Sequence, residues 1–324
     1  MQVLYLLGIE VMLMGNSLPN FLVCGTMKGG TTSLYYYLRE HPEIYLPTKE
    51  EIHFFDLHFG RGIGFYKKYF ADVRKGHKAV GEVTPDYMYL EHIPELIHET
   101  IPDVKLIFIL RNPVDRAYSH YWHAVTKWGV EYLPFERAIE AEPERISRGT
   151  AHHRYYSYLD RGKYALQLKR FRKYFDDDQM LVLITEEFKR DPVESLKRVF
   201  EFLGVDPNRY NFENLSRRHN IGYSPKIPKL HMTFNRIFGA RVGPKELVLG
   251  YWYRKMLTLL RRNRKLWELF FTPGYPKLDL GTRDRLMEYF APYNRELESL
   301  LGRKIDAWLR TKQTSQGSLS GSPG

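Results

Sequence analysis

An apolar run, FLVC (21 to 24), leads directly into Gly25-Thr26-Met27-Lys28-Gly29-Gly30-Thr31-Thr32-Ser33, and a segment of helical pattern follows to Glu40. A strand, a glycine loop and a helix in that order make an anion cradle. Glycines let the backbone curl so that several N–H groups converge, and the helix N-terminus adds its partial positive charge. The nucleotide-hydrolase pattern G-x-x-x-x-G-K-[ST] would place lysine after the second glycine. Here Gly30 is followed by Thr31, and the lysine lies inside the loop as Lys28. A hydrolase also wants an acid after a hydrophobic strand to hold Mg²⁺, yet VKLIFIL (104 to 110) ends in Arg111. Glu186 and Glu187, after MLVLIT (180 to 185), are the nearest candidates and equally suit the start of a surface helix. From these residues alone, phosphate binding and a purely structural glycine turn both remain open.

The elements that must position the loop are legible. FLVC, KAVGE (78 to 82), VKLIFIL and MLVLIT are strand candidates separated by segments of helical period. Asn112-Pro113 and Asp191-Pro192 each pair an N-cap with proline at the first helical position. After Asp191, the stripe Val193, Leu196, Val199, Phe200 and Leu203 ends at Gly204; between Tyr164 and Phe175, Leu168, Phe171 and Phe175 share a face. Strands alternating with helices predict an α/β fold, a P-loop-like three-layer sandwich with a central parallel sheet flanked by helices. Ligands of such folds bind at the carboxyl ends of the strands.

The 324 residues are 43% hydrophobic and 15% aromatic, which excludes a disordered chain. Cys24 is the sole cysteine, so no disulfide framework is possible, and a lone thiol suits a reducing compartment. Glu10 interrupts the apolar stretch MQVLYLLGIEVMLMG, and no basic region precedes it. The expectation is an N-terminal extension over 1–19, one domain over 20–310, a flexible tail over 311–324, and a cytoplasmic location, peripheral to the membrane at most. The 49 Lys and Arg against 38 Asp and Glu give a net charge of +11. Between Lys226 and Lys265, eleven basic residues face Glu246 alone. That block implies an anionic partner, be it nucleic acid, a lipid surface, a charged glycan or a phosphorylated cofactor, while a simply solvated helical face accounts equally for most of these side chains. Within it, RKMLTLLRRNRKLWELFF (254 to 271) has the pattern of one basic amphipathic helix.

KGGTTSL, EIHFFD (51 to 56) and LRNPVDRAYSHY (110 to 121), in that order and spacing, resemble the sulfotransferases that use 3′-phosphoadenosine-5′-phosphosulfate (PAPS). The likeness is to the carbohydrate branch with its heparan sulfate enzymes and bacterial relatives. It continues through 161–175, 191–205 and 275–302. The resemblance implies that Lys28, Gly29, Gly30, Thr31, Thr32 and Ser33 hold the cofactor's 5′-phosphate. Lys28 would also stabilise the charge left on the departing phosphate. Arg111 and Ser119 match the 3′-phosphate site. Glu51 matches the general base, His53 would orient it or the acceptor, and Asp56 would bind a sugar hydroxyl. If EIHFFD is extended, Glu51 and His53 share a side. No metal is implied.

Three departures mark the chain. Glu82-Val83-Thr84-Pro85 lacks the lysine of the heparan-type E-K-[ST]-P element; the late cysteine pair is missing; and Phe271-Thr272-Pro273-Gly274 replaces a basic stretch before Tyr275-Pro276. The second 3′-phosphate clamp is therefore open among Arg217, Arg218 and Lys277. The resulting expectation is a metal-independent sulfotransferase. It moves the sulfuryl group of PAPS to a hydroxyl or amine of a glycan, glycolipid or other small acceptor and releases 3′-phosphoadenosine-5′-phosphate (PAP), with no nucleic acid as partner. The competing readings are a basic nucleic-acid-binding protein, suggested by Tyr251-Trp252-Tyr253-Arg254 within the charge block, and a P-loop nucleotide kinase.

Overall fold

A computed structural model describes residues 18–216, 222–238 and 248–309. The expected terminal segments 1–19 and 311–324 fall almost wholly outside these, as do Arg217 and Arg218.

Five strands, β1 (Phe21–Gly25), β2 (Ile44–Tyr45), β3 (Ala79–Val83), β4 (Lys105–Leu110) and β5 (Met180–Ile184), form one sheet in the order β2-β3-β1-β4-β5. Every neighbouring pair is parallel, with Phe21 opposite both Gly81 and Lys105, and Leu106 opposite Met180. Side chains alternate across such a sheet, and both faces are buried. Leu22, Cys24, Leu106, Phe108 and Leu110 face one layer, where they pack with Ile93 and Ile97 of α2 (Ile93–Thr100) and Leu168 and Phe171 of α5 (Tyr164–Phe171). Phe21, Val23, Ile107 and Ile109 face the other, against Leu34 and Leu38 of α1 (Thr31–Arg39) and Leu196, Val199, Phe200 and Leu203 of α7 (Pro192–Leu203). The three-layer sandwich is thus the architecture observed. Cys24 is buried and unpaired.

The topology locates the site. After β1 the chain turns toward the β3 side of the sheet, and after β4 it turns toward β5. The crevice therefore opens at the carboxyl ends of β1 and β4, the switch point of the sheet. The glycine loop leaves β1 there, and α3 (Pro113–His123) leaves β4, with Asn112 Oδ1 accepting from the amides of Val114 and Asp115. α3 and α11 (Leu280–Leu301) share a further core around Trp122, Phe135 and Phe290.

Several local expectations are corrected. The two-residue β2 is too short to leave a periodic signal. Thr185 is not strand but the first residue of α6 (Thr185–Arg190). α5 ends at Phe171, although Phe175 is still buried in the same core. The single amphipathic helix over 254–271 is two, α9 (Val248–Arg262) and α10 (Arg264–Phe270). Asn263 is extended and accepts from the Leu266 amide, so it caps a new helix. Phe271 already belongs to β7 (Phe271–Pro273), antiparallel to β6 (Tyr223–Pro225). α4 (Thr150–Tyr156) and α8 (Pro228–Phe238) complete the elements that surround the site.

Asp191 accepts from the Glu194 amide at 3.0 Å and starts the helix that covers one sheet face. Asp191→Ala should lower stability by about 1 kcal/mol, a few degrees in Tm, with an unchanged denaturant m-value. Thermal and urea unfolding measure both.

Candidate active site

The loop after β1 is tightly wound. Thr26 donates to Ile109 O and Gly29 to Thr26 O, at 2.9 and 2.8 Å. A Cβ on Gly29 would stand 2.3 Å from Ile109 O, so only glycine fits. Lys28 takes φ 68° and Gly30 φ 111°. A left-handed lysine costs on the order of 1 kcal/mol and persists because its surroundings fix it. Thr185 Oγ1 donates to Gly29 O and sits 2.9 Å from Leu110 O, binding the loop to the end of β4.

α1 begins at Thr31 without a side-chain cap on its first turn. Its first amides therefore keep free donors. Together with Lys28, Gly29 and Gly30, residues Thr31, Thr32 and Ser33 line a cavity of about 420 Å³. Arg111 and Ser119 line the same cavity, and so does Glu51. Ser119 Oγ lies 3.5 Å from the Tyr275 hydroxyl, another wall residue.

Lys28 Nζ is 3.3 Å from His123 Nδ1. Burial, then the Lys28 and Lys127 charges, push the His123 pKa well down. A neutral His123 can therefore accept from the ammonium without adding charge. Burial, then Lys127 and Arg111, lower the Lys28 pKa to about 8. An anion entering this cavity relieves that repulsion.

EIHFFD is not extended. His53 has φ 58°, and Phe54–His58 forms a wide helical turn. The left-handed kink nevertheless brings His53 Nε2 to 3.0 Å from Glu51 Oε2, while Nδ1 lies 2.8 Å from Asp56 Oδ2. Burial of the ring, which disfavours its charge, is outweighed by those carboxylates, and the His53 pKa rises to about 9. The Asp56 side chain is 2% exposed. It is not among the residues that line the cavity, and its observed contact is to the His53 ring, which it can hold in place.

Sequence reasoning missed a set of charges. Arg154 of α4 lines the cavity, with Nη2 at 3.1 Å from His53 Nε2 and 3.5 Å from Asp86 Oδ2. Arg161 pairs with Asp86 Oδ1 at 2.7 Å. Lys127 and His123 are also wall residues. Among the described residues His53, Asp56 and Asp86 form the one histidine and carboxylate group compact enough to chelate, but Arg154 and Arg161 already supply its countercharge. Nothing in TAHHRYY marked Arg154 in the sequence. Glu186 is structural, accepting from the Asn112 amide and Trp308 Nε1, and Glu187 pairs with Arg303. Lys277 is exposed and outside the cavity lining.

The sulfotransferase domain matches residues 18–221. The chain belongs to the sulfotransferase family. Bifunctional heparan sulfate N-deacetylase/N-sulfotransferase 3 of Homo sapiens is 30% identical over 306 residues, 90% of this chain and 31% of that one. Heparan sulfate glucosamine 3-O-sulfotransferase 6 of Homo sapiens is 34% identical over 187 residues, 58% of this chain and 52% of that one. The crystal structure of a sulfotransferase from Alicyclobacillus acidocaldarius superposes with a TM-score of 0.66 at 29% identity, covering 91% of this chain and 100% of that one. The chain thus spans about a third of the length of the first of these curated relatives. No described helix is long and apolar enough to cross a membrane.

The His53 charge has a measurable consequence. Its folded pKa lies above the ordinary 6.5, so the charge contributes stability that is complete below about pH 6.5 and lost as pH rises through 9. Ring NMR should show His53 doubly protonated at pH 7 and titrating near 9, and Asp56→Asn should move that midpoint down by a unit or more. A midpoint that stays near 9 in Asp56→Asn contradicts the assignment.

Proposed function

We propose that this sulfotransferase takes its sulfuryl group from PAPS and delivers it to a hydroxyl or amine of a glycan or glycolipid, on the cytoplasmic side. The observation that carries the reading is that Lys28, Arg111, Ser119 and Glu51, distant in sequence, open into one cavity floored by uncapped amides. PAPS fits the donor set, because two phosphate groups need the two separate cationic positions that Lys28 and Arg111 offer. It supplies an activated sulfuryl group on a phosphate that can leave.

The chain's residues then divide the work. Main-chain amides from Lys28 to Ser33 and the N-terminus of α1 hold the 5′-phosphate. The Lys28 ammonium, steadied by neutral His123, offsets the negative charge that grows on the departing phosphate oxygen. Arg111 and Ser119 grip the 3′-phosphate, with the Tyr275 hydroxyl beside Ser119 as a further donor. Glu51 would take the proton of the acceptor as its oxygen or nitrogen bonds to the sulfuryl group and the phosphate departs. His53 holds the Glu51 carboxylate through Oε2 and is itself fixed by Asp56.

The named substrates of the relatives support a glycan acceptor. Val83, at the position where the heparan-type pattern has lysine, is buried in the sheet core. Lys127 and Arg154 bring cations to the cavity from α3's extension and α4 instead, so an acidic sugar would still meet positive charge beside Glu51. Among the described residues, the exposed Lys226, Lys229, Arg236, Lys255, Arg262 and Lys265 add a basic surface for an anionic partner.

Calorimetry with PAP should show micromolar binding without Mg²⁺, and Arg111→Ala should weaken it at least tenfold. Glu51→Gln should keep PAP affinity while turnover falls by about 10² or more. Preference for ATP with Mg²⁺ would overturn the reading.

Lys28 also predicts a pH dependence. Its free-protein pKa of about 8 means that PAP affinity is level between about pH 7 and 8, where the PAP phosphates are already ionised, and declines above pH 8, by up to tenfold per unit, as the ammonium is lost. Lys28→Arg should bind PAP with no such decline up to pH 10. An unchanged profile in Lys28→Arg assigns the titration to another group.

A further inference from the structure

Beyond the sheet, β6, β7, α8, α9 and α10 build a small lobe with its own core of Tyr253, Leu257, Trp267 and Phe271. Trp267 stacks on Phe271 with ring centroids 3.6 Å apart. Gly222, just before β6, and Tyr275, just past β7, both line the cavity, so the lobe stands at its rim.

The inner face of α8 is anchored. His231 Nε2 and Asn235 Nδ2 meet Val125 O at 3.1 and 2.9 Å. One position earlier on the helix, Leu230 and Phe234 are exposed, and Ile227 and Ile237 continue that stripe at helical spacing. α9 repeats the arrangement, with Tyr253 and Leu257 buried and Met256 and Leu259 outside; α10 exposes Leu269 and Phe270. These eight side chains are each between 44% and 62% exposed. That is a large apolar display for a protein surface.

Cations are interleaved with it. Lys226, Lys229 and Arg236 are exposed around α8, and Lys255, Arg262 and Lys265 along α9 and α10. Among the described residues from 226 to 270 the one acid is Glu268, paired with Arg264 at 2.7 Å.

We propose that this lobe docks on an anionic lipid bilayer, its aliphatic and aromatic side chains entering the headgroup boundary and its lysines and arginines meeting acidic headgroups. The inference rests on the reading of 226–265 as a surface for an anionic partner, and it names that partner. A polyanionic glycan or a nucleic acid would satisfy the cations and leave the apolar stripes in water. A second copy of the chain would cover the stripes but bring like charges face to face. A bilayer satisfies both sets at once. Docking there would hold the cavity rim next to the membrane, which suits an acceptor carried on a lipid.

Co-sedimentation of the full chain with vesicles tests this. Phosphatidylcholine vesicles containing phosphatidylserine should pull the protein down and pure phosphatidylcholine should do so weakly, since each basic residue near an anionic surface raises binding roughly fivefold. Added salt should weaken the binding. Ile237→Glu with Leu269→Glu should reduce it at least tenfold, and Lys229→Glu with Lys255→Glu should do the same. PAP calorimetry and Tm report whether each variant is folded, and wild-type PAP affinity in both is expected. Four results overturn the proposal. These are no binding to acidic vesicles; binding unaffected by Ile237→Glu with Leu269→Glu; retention on heparin without vesicle binding, which keeps the anionic partner but makes it a polyanion; and a solution dimer that Ile237→Glu dissolves, which makes the partner a second copy. Loss of PAP binding in the wild-type chain would instead strike the cofactor reading and leave the docking result standing.

Discussion

The curl of the backbone between Gly25 and Thr31 depends on the absence of a single Cβ. With Ile109 O where it is, any side chain at position 29 would collide with the neighbouring strand. Because glycine stands there, the loop lies flat on the end of β4, and Thr185 can clasp it from the start of α6. Because the loop lies flat, Lys28 is turned into the left-handed region and α1 starts with its free amides at the cavity wall. The cavity exists in this form because β1 and β4 are neighbours whose connections leave in opposite directions.

Charge is the second organising factor. Lys28, Arg111, Lys127 and Arg154 share one cavity, and their mutual repulsion is tolerable because histidines and carboxylates are disposed to absorb it. His123 stays neutral and accepts from Lys28, whereas His53 stays charged between Asp56 and Glu51. Burial disfavours the charge on both rings; at His123 the Lys28 and Lys127 charges add to that, whereas at His53 the Asp56 and Glu51 carboxylates outweigh it despite Arg154. Asp86, gripped by Arg161 and Arg154, ties α4 to the end of β3. The result is a cavity whose walls carry a surplus of positive charge. Glu82, one strand position from the buried Val83, shows the opposite case. Enclosed with the Tyr66 and Tyr87 hydroxyls at 2.9 and 2.7 Å, its carboxyl is pushed up to about 7 by burial and takes no part in the cavity.

Much of this was legible in the chain itself. The four longer strands, the capped starts of α3 and α7 and the strand-loop-helix of the cradle follow from apolar runs, Asn-Pro and Asp-Pro pairs and glycine placement, all local in sequence. The boundaries slipped where a single residue redirected the backbone, as at Asn263, which splits one amphipathic pattern into two helices, and at His53, whose left-handed turn replaces an extended segment. β2 left no signal because two residues have no period.

What the sequence by itself determined is the list of parts: a strand, glycine loop and helix with the lysine misplaced for a hydrolase, a basic residue where a metal-binding acid would stand, a carboxylate within EIHFFD, and a block of positive charge. These are consequences of residue type and short-range spacing. The tertiary structure alone decided which parts meet. Arg154 and Lys127 reach the cavity, Asp56 contacts the His53 ring, and Ser119 finds Tyr275 across 156 residues of chain. It also left apolar stripes of α8, α9 and α10 outward beside their cations. Such contacts depend on how helices seat against the sheet, and that packing is a property of the whole chain which no local window contains.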